Sequence, residues 1–470
     1  MPYFPNHPLE PGPDETRKMG EAVLDLVADF IRDLPTMPAF DLNGAQRLAT
    51  NLRERAPEHG TPLPVLLQTV AEAATRGATS AGPGYLAYIP GGGLYSAALA
   101  DFLASALNKY VSVWNLAPVC AQLEWTAIRW LCDLFGYPEQ ARGILTSGGS
   151  LANFSAIVTA RATHLGEDFL DGVLYVTDQT HASSAKAAML AGIPQRNVRT
   201  VPTQDTLAMD PHALTRLIEE DRGAGLRPFL VVASAGTTNT GAIDPLHDLA
   251  TIARAERLWL HVDAAYGGPF QLTVRGRDLL SGIERADSIT LDPHKAMFLP
   301  YGTGALIVRD GALLREAHHL SADYLQDLGA EDEIPNFSEY SPELTRDFRG
   351  LRLWLPIKLH GLAAFREALD EKLDLARYAY DSLREAGFEA PWEPRLTTVA
   401  FRWIPEPGDA DAFNAALLKQ VNDGGRVFLS STLIDGTYML RISVVSFRTH
   451  RDRVDEALHA IRIARDTLTR

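Results

Sequence analysis

Between about residues 140 and 310, short apolar runs alternate with stretches of helical periodicity. This alternation limits the possible folds more than any other feature of the chain, because it predicts strands and helices in regular succession. Such a succession favours a mostly parallel sheet that is covered by helices. The predicted strands are Gly143–Leu145, Val173–Val176, Phe229–Ala233, Leu258–Val262, Ser288–Leu291 and Ala305–Val308.

The sequence before this region predicts a helical arm. Asp14 is predicted to cap a helix that runs to about Leu34, with Pro35 at its end. The apolar face of this helix must pack against another surface, for which a partner subunit is a candidate. The Gly/Pro-rich stretch 81–93 is predicted to be a loop that joins the arm to the main domain.

The pattern changes again after about residue 352. A helix-rich stretch precedes strand patterns near Thr398–Phe401 and Tyr438–Val445, which indicates a smaller α+β domain. We therefore predict three parts, namely an N-terminal arm and dimer-wrapping segment (1–93), a large domain (94–351) and a small C-terminal domain (352–470).

Charge and composition exclude several classes of function. The net charge of −15 argues against nucleic-acid binding, which needs clustered Lys and Arg. No window approaches 18 uninterrupted apolar residues, so no membrane span is expected. The first eight residues lack the pattern of a signal peptide, and only Cys120 and Cys132 are present. These features predict a cytoplasmic protein in a reducing environment.

Two predicted strands end in residues that can carry chemistry. Leu258–Val262 runs into Asp263, and Ser288–Leu291 runs into Asp292-Pro293-His294-Lys295. Ligands of parallel sheets bind beyond the carboxyl ends of the strands, where both side chains would lie. A lysine that can form a Schiff base and a carboxylate that can pair with a pyridinium nitrogen are the two groups that a pyridoxal phosphate site needs.

Two further segments fit such a site. Gly148, Gly149 and Ser150 join a strand to a helix, and a glycine loop at a helix N-terminus can receive a phosphate. By itself, this segment is more often an ordinary turn and helix cap. His181 follows the strand that ends at Val176 and could stack on an aromatic cofactor ring, although a lone loop histidine is more often solvent-exposed.

Together, these motifs resemble those of the PLP-dependent group II amino-acid decarboxylases, a family that includes the aromatic-L-amino-acid, glutamate and diaminobutyrate enzymes. The resemblance extends from the N-terminal helix to Leu440–Ser443, with the motifs in family order. It implies the α/β, aspartate-aminotransferase-like fold (PLP-dependent transferase fold type I). It also implies a homodimer with active sites at the subunit interface.

The resemblance implies catalytic roles for four residues. Lys295 would form the Schiff base, Asp263 would pair with the pyridinium nitrogen, and His181 would stack on the ring. Tyr324 matches a mobile-loop tyrosine that protonates the substrate carbon after CO₂ leaves. The polar, acidic stretch 321–345 around it is typical of a lid.

The resemblance also implies the residues that bind the cofactor and the substrate. The cofactor set, besides the catalytic residues, is Gly148, Gly149, Ser150, Thr238, Ala265 and His294. The predicted substrate pocket contains Tyr88, Ile89, Pro90, Tyr110, Ser112 and Trp114. Three positions depart from the aromatic enzymes: Ile89 and Gly91 replace an aromatic residue and a threonine, and Ser112 replaces a phenylalanine of the animal enzymes.

The leading hypothesis is decarboxylation of an aromatic L-amino acid to its amine. One alternative is a small or acidic amino acid; the absence of Lys and Arg between Tyr88 and Trp114, apart from Lys109, disfavours an acidic side chain. A second alternative is an aldehyde synthase, in which oxygen reacts with the carbanion. Family members of that kind typically lack the loop tyrosine, so the presence of Tyr324 argues against it. A metal hydrolase built on two His/Asp pairs, His261 with Asp263 and Asp292 with His294, would leave Lys295 and the glycine loop unexplained, so no metal is predicted.

Overall fold

The computed structural model describes residues 9–320 and 336–470. Its strands are β1 (Phe40–Asp41), β2 (Gly77–Ala78), β3 (Arg142–Thr146), β4 (Gly172–Thr177), β5 (Val198–Val201), β6 (Arg227–Ser234), β7 (Trp259–Asp263), β8 (Ser288–Leu291), β9 (Gly304–Val308), β10 (Thr398–Phe401), β11 (Ser430–Ile434) and β12 (Thr437–Ser443).

The α-helices follow in the same chain order. They are α1 (Pro13–Asp33), α2 (Ala45–Asn51), α3 (Leu63–Ala74), α4 (Tyr95–Leu107), α5 (Pro118–Leu134), α6 (Gly149–Leu165), α7 (Ala182–Leu190), α8 (Pro211–Gly223), α9 (Leu246–Ala255), α10 (Val274–Leu279), α11 (Gly311–His318), α12 (Gly350–Glu385), α13 (Ala410–Asp423) and α14 (Arg451–Leu468). Among these described helices, none is long and apolar enough to span a bilayer.

A seven-stranded sheet with the order β3-β9-β8-β7-β6-β4-β5 organises the large domain. Neighbouring strands from β5 to β8 are parallel, and only β9 runs against its two neighbours. All six predicted strands are present in it, which confirms the mostly parallel α/β fold. The sequence did not predict β5, an edge strand whose polar Arg199 and Thr200 interrupt the apolar run.

Alternation along the central strands shows that both faces of the sheet are covered. In β4, Val173 and Tyr175 belong to one buried apolar cluster, whereas Leu174 and Val176 belong to another. Successive side chains of a strand point to opposite faces, so each cluster marks one face. Strands buried on both faces read as continuous apolar runs, which explains why the sequence revealed them.

The N-terminal arm differs from its prediction in one detail. Helix α1 begins at Pro13 with Gly12 as its N-cap, so the prediction that Asp14 caps it is wrong. Proline suits the first helical position because its missing N–H would have no partner there, and Asp14 instead lies in the first turn, where its charge favours the helix dipole.

The Gly/Pro-rich stretch 81–93 is more than the connecting loop that was predicted. Leu86 N donates to Phe428 O, and Ser443 N donates to Leu86 O, both at 2.9 Å. The segment thus pairs with the C-terminal part of the chain, and at Gly91 it also packs closely against His294 of the large domain. Buried backbone groups need hydrogen-bond partners, and the edge of the small sheet supplies them.

Helix α12 connects the two main apolar clusters. Leu353, Phe365 and Leu369 pack with the cluster on one face of the large sheet. Further along, Leu375 and Leu383 pack with β10, β12 and α14 around the antiparallel sheet β10-β12-β11. The division at residues 93 and 351 stays a prediction.

Candidate active site

A cavity of about 330 Å³ opens where β6, β7 and β8 end and where α6 and α7 begin. All nine residues of the predicted cofactor set line it, although they come from distant parts of the chain. They are Gly148, Gly149, Ser150, His181, Thr238, Asp263, Ala265, His294 and Lys295. Their individual roles stay predictions.

The glycine loop, Gly148 and Gly149, lines this cavity with backbone atoms that no side chain covers. A Cβ on Gly149 would lie 2.9 Å from Asp292 Oδ2, and a Cβ on Gly304 would lie 2.5 Å from the carbonyl carbon of Gly148. Helix α6 begins at Gly149, so the first amides have no intrahelical partners and point outward. Unpaired amides and the positive end of the helix dipole form an anion site that suits a phosphate.

Asp263 is held from two sides at the end of β7. Its Oδ2 accepts a hydrogen bond from Asn153 Nδ2 at 2.9 Å, and its Oδ1 accepts one from Ala265 N at 3.1 Å. The side chain is almost fully buried in the cavity wall. These contacts fix the orientation of the carboxylate and leave lone pairs for a cationic ring nitrogen.

Lys295 meets a carboxylate that the sequence left unassigned. Its Nζ lies 3.0 Å from Asp292 Oδ2, and its side chain is 20% exposed against 4% for Asp292. A carboxylate beside a phosphate site would repel the phosphate unless it turned towards another partner, and that partner is Lys295. The other carboxylate oxygen, Oδ1, is buried and lacks a hydrogen-bond partner among the described residues.

The two cavity histidines are each fixed by one ring nitrogen. His294 Nδ1 lies 2.6 Å from Thr303 O, which can only accept, so this nitrogen carries a proton. His181 caps α7, and its Nδ1 accepts from Ser183 N at 3.3 Å. The Ser183 hydroxyl lies 2.7 Å from the same nitrogen.

A buried histidine lies behind the cavity. Burial lowers the pKa of His261 to about 4. Its Nδ1 lies 2.8 Å from Ser288 Oγ, and its Nε2 lies 3.1 Å from Asn153 Oδ1. The metal-hydrolase alternative would require His261 to bind a metal through a ring nitrogen. Both of its ring nitrogens already have partners in the protein, so His261 does not suit this role.

The six predicted substrate residues do not line this cavity within the described chain. The segment Tyr88–Pro90 leads into Gly91, where a Cβ would lie 1.9 Å from His294 O. Only glycine permits this close approach, which gives a physical reason for the missing threonine.

The other three lie against the segment that follows residue 335. Tyr110 Oη donates to Leu344 O at 3.0 Å, and Trp114 N donates to Asn336 Oδ1 at 2.9 Å. Ser112 is fully buried, and its Oγ accepts from Arg346 N at 3.2 Å. Tyr324 lies outside the described residues.

Sequence reasoning missed two residues that bear on the site. Asn153 supports Asp263 from inside α6, and a buried asparagine within a helix could have drawn attention to it. Arg441 donates to Thr238 O and, at 3.1 Å, to Ser430 Oγ. Burial lowers the pKa of Arg441. In the sequence, a charged residue inside an otherwise apolar strand could have drawn attention to it.

Comparison with known proteins agrees with this geometry. Residues 46–404 match the model of the pyridoxal-dependent decarboxylase conserved domain. The chain is 35% identical to the aromatic-L-amino-acid decarboxylase of Bacillus atrophaeus over 462 residues, which covers 97% of this chain and 96% of that protein.

Solved structures extend the similarity to three dimensions. The crystal structure of Oryza sativa TDC with PLP and tryptamine has a TM-score of 0.93 at 28% identity, covering 99% of this chain and all of that one. Rhodiola rosea 4-hydroxyphenylacetaldehyde synthase has a TM-score of 0.91 at 25% identity, with the same coverage. Because the domain match spans most of the chain and relatives align along nearly its whole length, the chain belongs to the pyridoxal-dependent decarboxylase family, whose cofactor is pyridoxal phosphate.

Proposed function

We propose that this decarboxylase converts an aromatic L-amino acid into the corresponding amine and CO₂. The observation that carries the proposal is the convergence of all nine predicted cofactor residues on one cavity at the carboxyl ends of the parallel strands. The names of the relatives add support, since the Bacillus atrophaeus protein is an aromatic-L-amino-acid decarboxylase.

The residues around the cavity suit the phosphate, the ring nitrogen and the aldehyde carbon of pyridoxal phosphate. The amides at the start of α6, with Gly148, Gly149 and Ser150, would hold the phosphate. Asp263 would face the ring nitrogen, and Lys295 would bind the aldehyde carbon. When bound, the cofactor withdraws electrons from the α-carbon of the substrate as CO₂ leaves.

The protein's contribution is to place charges before the reaction begins. Asp263 cannot rotate freely because Asn153 Nδ2 and Ala265 N each bind one of its oxygens. A carboxylate fixed in a water-poor site stabilises a nearby positive charge without further reorganisation. Asp292 holds Lys295 Nζ at 3.0 Å, so an amine that is not engaged has a defined resting position. We propose that Tyr324 supplies the proton to the substrate carbon.

The substrate assignment rests on the residues near Gly91 and on the relatives. Tyr88, Ile89 and Pro90 precede the contact of Gly91 with His294 and are the predicted aromatic and apolar residues nearest in sequence to that contact. Arg441 is a buried cation beside Thr238, and its two terminal guanidinium nitrogens bind Thr238 O and Ser430 Oγ. An acidic substrate side chain would need a cation that is free to pair with it.

A panel of amino acids tests the proposal. At least one of L-tryptophan, L-tyrosine and L-phenylalanine should release CO₂ with a kcat/KM at least about 100-fold above that for L-glutamate, because an uncompensated carboxylate is rejected by an apolar pocket. The amine should form in equal amount to CO₂. Preference for L-glutamate would contradict the substrate class, and release of ammonia and peroxide in place of the amine would identify an aldehyde synthase.

We also propose that the protein is a cytoplasmic homodimer with active sites at the subunit interface. Helices α1 and α3 bury none of their residues within the chain. A cavity of about 440 Å³ between them is lined by apolar Leu26, Val27, Phe30 and Val70. Exposed apolar surface of this kind is typical of protein interfaces. Both cysteines are free, which suits a reducing compartment.

Sedimentation should give twice the chain mass of 51.4 kDa. A Phe30→Asp variant should shift the equilibrium towards the monomer by at least about tenfold, because a charge would have to be buried in the apolar contact. Ile463→Asp is the control, since it places the same charge on an exposed apolar residue of α14. A wild-type monomer, or equal effects of the two variants, would refute the proposed interface.

A further inference from the structure

One amide group in the cavity wall, that of Asn153, contacts both Asp263 and Ser183, the residue that supports His181. Asn153 Nδ2 donates to Asp263 Oδ2 at 2.9 Å and to Ser183 Oγ at 3.0 Å. Asn153 Oδ1 lies 3.1 Å from His261 Nε2. Asn153, Ser183 and His261 are all buried, so water does not compete for these bonds.

The hydrogen bonds continue away from the cavity. His261 Nδ1 lies 2.8 Å from Ser288 Oγ, and Trp259 Nε1 donates to the same oxygen at 2.8 Å. The chain of contacts therefore runs from Trp259 through Ser288, His261 and Asn153 to Asp263.

The carboxylate end of this chain determines the direction of the hydrogen bonds in it. A carboxylate can only accept, so the Nδ2 side of Asn153 faces Asp263 and its Oδ1 faces His261. An amide oxygen can also only accept, so His261, which burial keeps neutral, carries its proton on Nε2. Its Nδ1 therefore accepts the hydroxyl proton of Ser288, whose Oγ also accepts from Trp259 Nε1.

The same direction extends to the second cavity residue. Ser183 Oγ accepts from Asn153, so its hydroxyl proton is free for His181 Nδ1, 2.7 Å away. Ser183 N also donates to this nitrogen. With two donors on Nδ1, the ring proton of a neutral His181 must reside on Nε2.

We propose that Asn153 is a positioning residue whose single amide orients both the Asp263 carboxylate and the Ser183 hydroxyl that binds His181 Nδ1, and that Trp259, Ser288 and His261 hold that amide in place. The inference rests on the proposed roles of Asp263 and His181. It adds that one buried hydrogen-bond chain, which runs back to Trp259, supports both groups.

The first test reads the tautomer of His181 by ¹⁵N NMR of the histidine-labelled protein without cofactor. Wild type should show a protonated Nε2 and an accepting Nδ1. Asn153→Ala and Ser183→Ala should both shift the ¹⁵N resonance of Nδ1, because the hydrogen bond from the Ser183 hydroxyl is weakened or lost, while Ser183 N keeps the ring proton on Nε2. Ser184→Ala is the matched control, because Ser184 is the next residue of α7, is also buried and has an Oγ without a partner among the described residues. An unchanged Nδ1 resonance in Asn153→Ala and Ser183→Ala would overturn the proposal.

The second test changes the far end of the chain, which does not touch the cavity. Ser288→Ala should raise the dissociation constant of pyridoxal phosphate about tenfold, roughly the value of one well-formed hydrogen bond. Ser288→Thr, which restores a hydroxyl, should return it to within about twofold of wild type. Ser155→Ala is the control, since this buried serine of α6 has no hydrogen-bond partner among the described residues.

These readouts separate the inference from the proposed function. Neither depends on which amino acid is the substrate, and the ¹⁵N measurement does not require the cofactor. If Ser288→Ala and Ser155→Ala weaken cofactor binding equally, or if Ser288→Thr fails to restore it, the buried chain does not set the cavity groups. A wrong substrate class would leave all of these results unchanged.

Discussion

Replacing Lys295 with alanine is expected to abolish both covalent retention of the cofactor and CO₂ release. Lys295 is the one lysine that lines the cavity of the described chain, and its Nζ is the amine available to an aldehyde there. Losing a covalent participant removes a step that no neighbour can perform, so kcat should fall at least about 10³-fold. The measurements are CO₂ release and the visible absorbance that stays with the protein after gel filtration.

A second variant separates the amine of Lys295 from its charge, and a third serves as the control. Lys295→Arg keeps a cation beside Asp292 but cannot form the same covalent bond, so it should be as inactive as Lys295→Ala. Lys186→Ala removes an exposed lysine of α7 and should keep wild-type turnover. A Lys295→Ala enzyme with full turnover would refute the assignment of this lysine.

Replacing Asp263 with asparagine is expected to lower kcat by about 10²–10⁴-fold while changing KM much less. The amide has nearly the same shape but no negative charge, and its NH₂ group would face either Asn153 Nδ2 or Ala265 N, which are both donors. The variant thus loses the charge that we propose faces the ring nitrogen, and it disturbs the hydrogen bonds that support the side chain. Steady-state kinetics and cofactor affinity, measured together, distinguish the two effects.

The control is another buried carboxylate. Asp221 accepts from Tyr175 Oη at 3.0 Å and pairs with Arg199, but it is remote from the cavity. Asp221→Asn should lower the melting temperature and leave kcat within about twofold, because a buried pair stabilises the fold and not the transition state. If Asp263→Asn behaved in the same way, Asp263 would be structural.

Local pattern predicted the strands whose residues are buried and failed at strands that carry partly exposed polar positions. Ser288–Leu291 and Thr398–Phe401 have the same bounds in the structure as in the prediction. The edge strands Val198–Val201 and Ser430–Ile434 were missed because their exposed faces carry polar side chains that break the apolar run. The N-cap of α1 was predicted at the wrong residue because aspartate is a common N-cap, whereas this helix has Gly12 as its N-cap and begins at Pro13.

One structural rule accounts for the part of the site that could be predicted from the sequence. Carboxyl ends of parallel strands lie at one edge of the sheet, which is enough to bring Asp263 and Lys295 together. Asn153 was not predictable in the same way, because its contact with Asp263 joins positions 110 residues apart. The close approach of Gly91 to His294 is likewise a tertiary contact that no local pattern contains.

Borohydride reduction of the purified holoenzyme, followed by peptide mass spectrometry, tests most directly whether Lys295 carries the cofactor. Reduction fixes the cofactor to whichever amine holds it, and the peptide map then locates that amine. We predict one reduced cofactor per chain, on the peptide that contains Asp292-Pro293-His294-Lys295. Label on any other lysine, or no label on a protein that releases CO₂ from aromatic amino acids, would contradict the assignment.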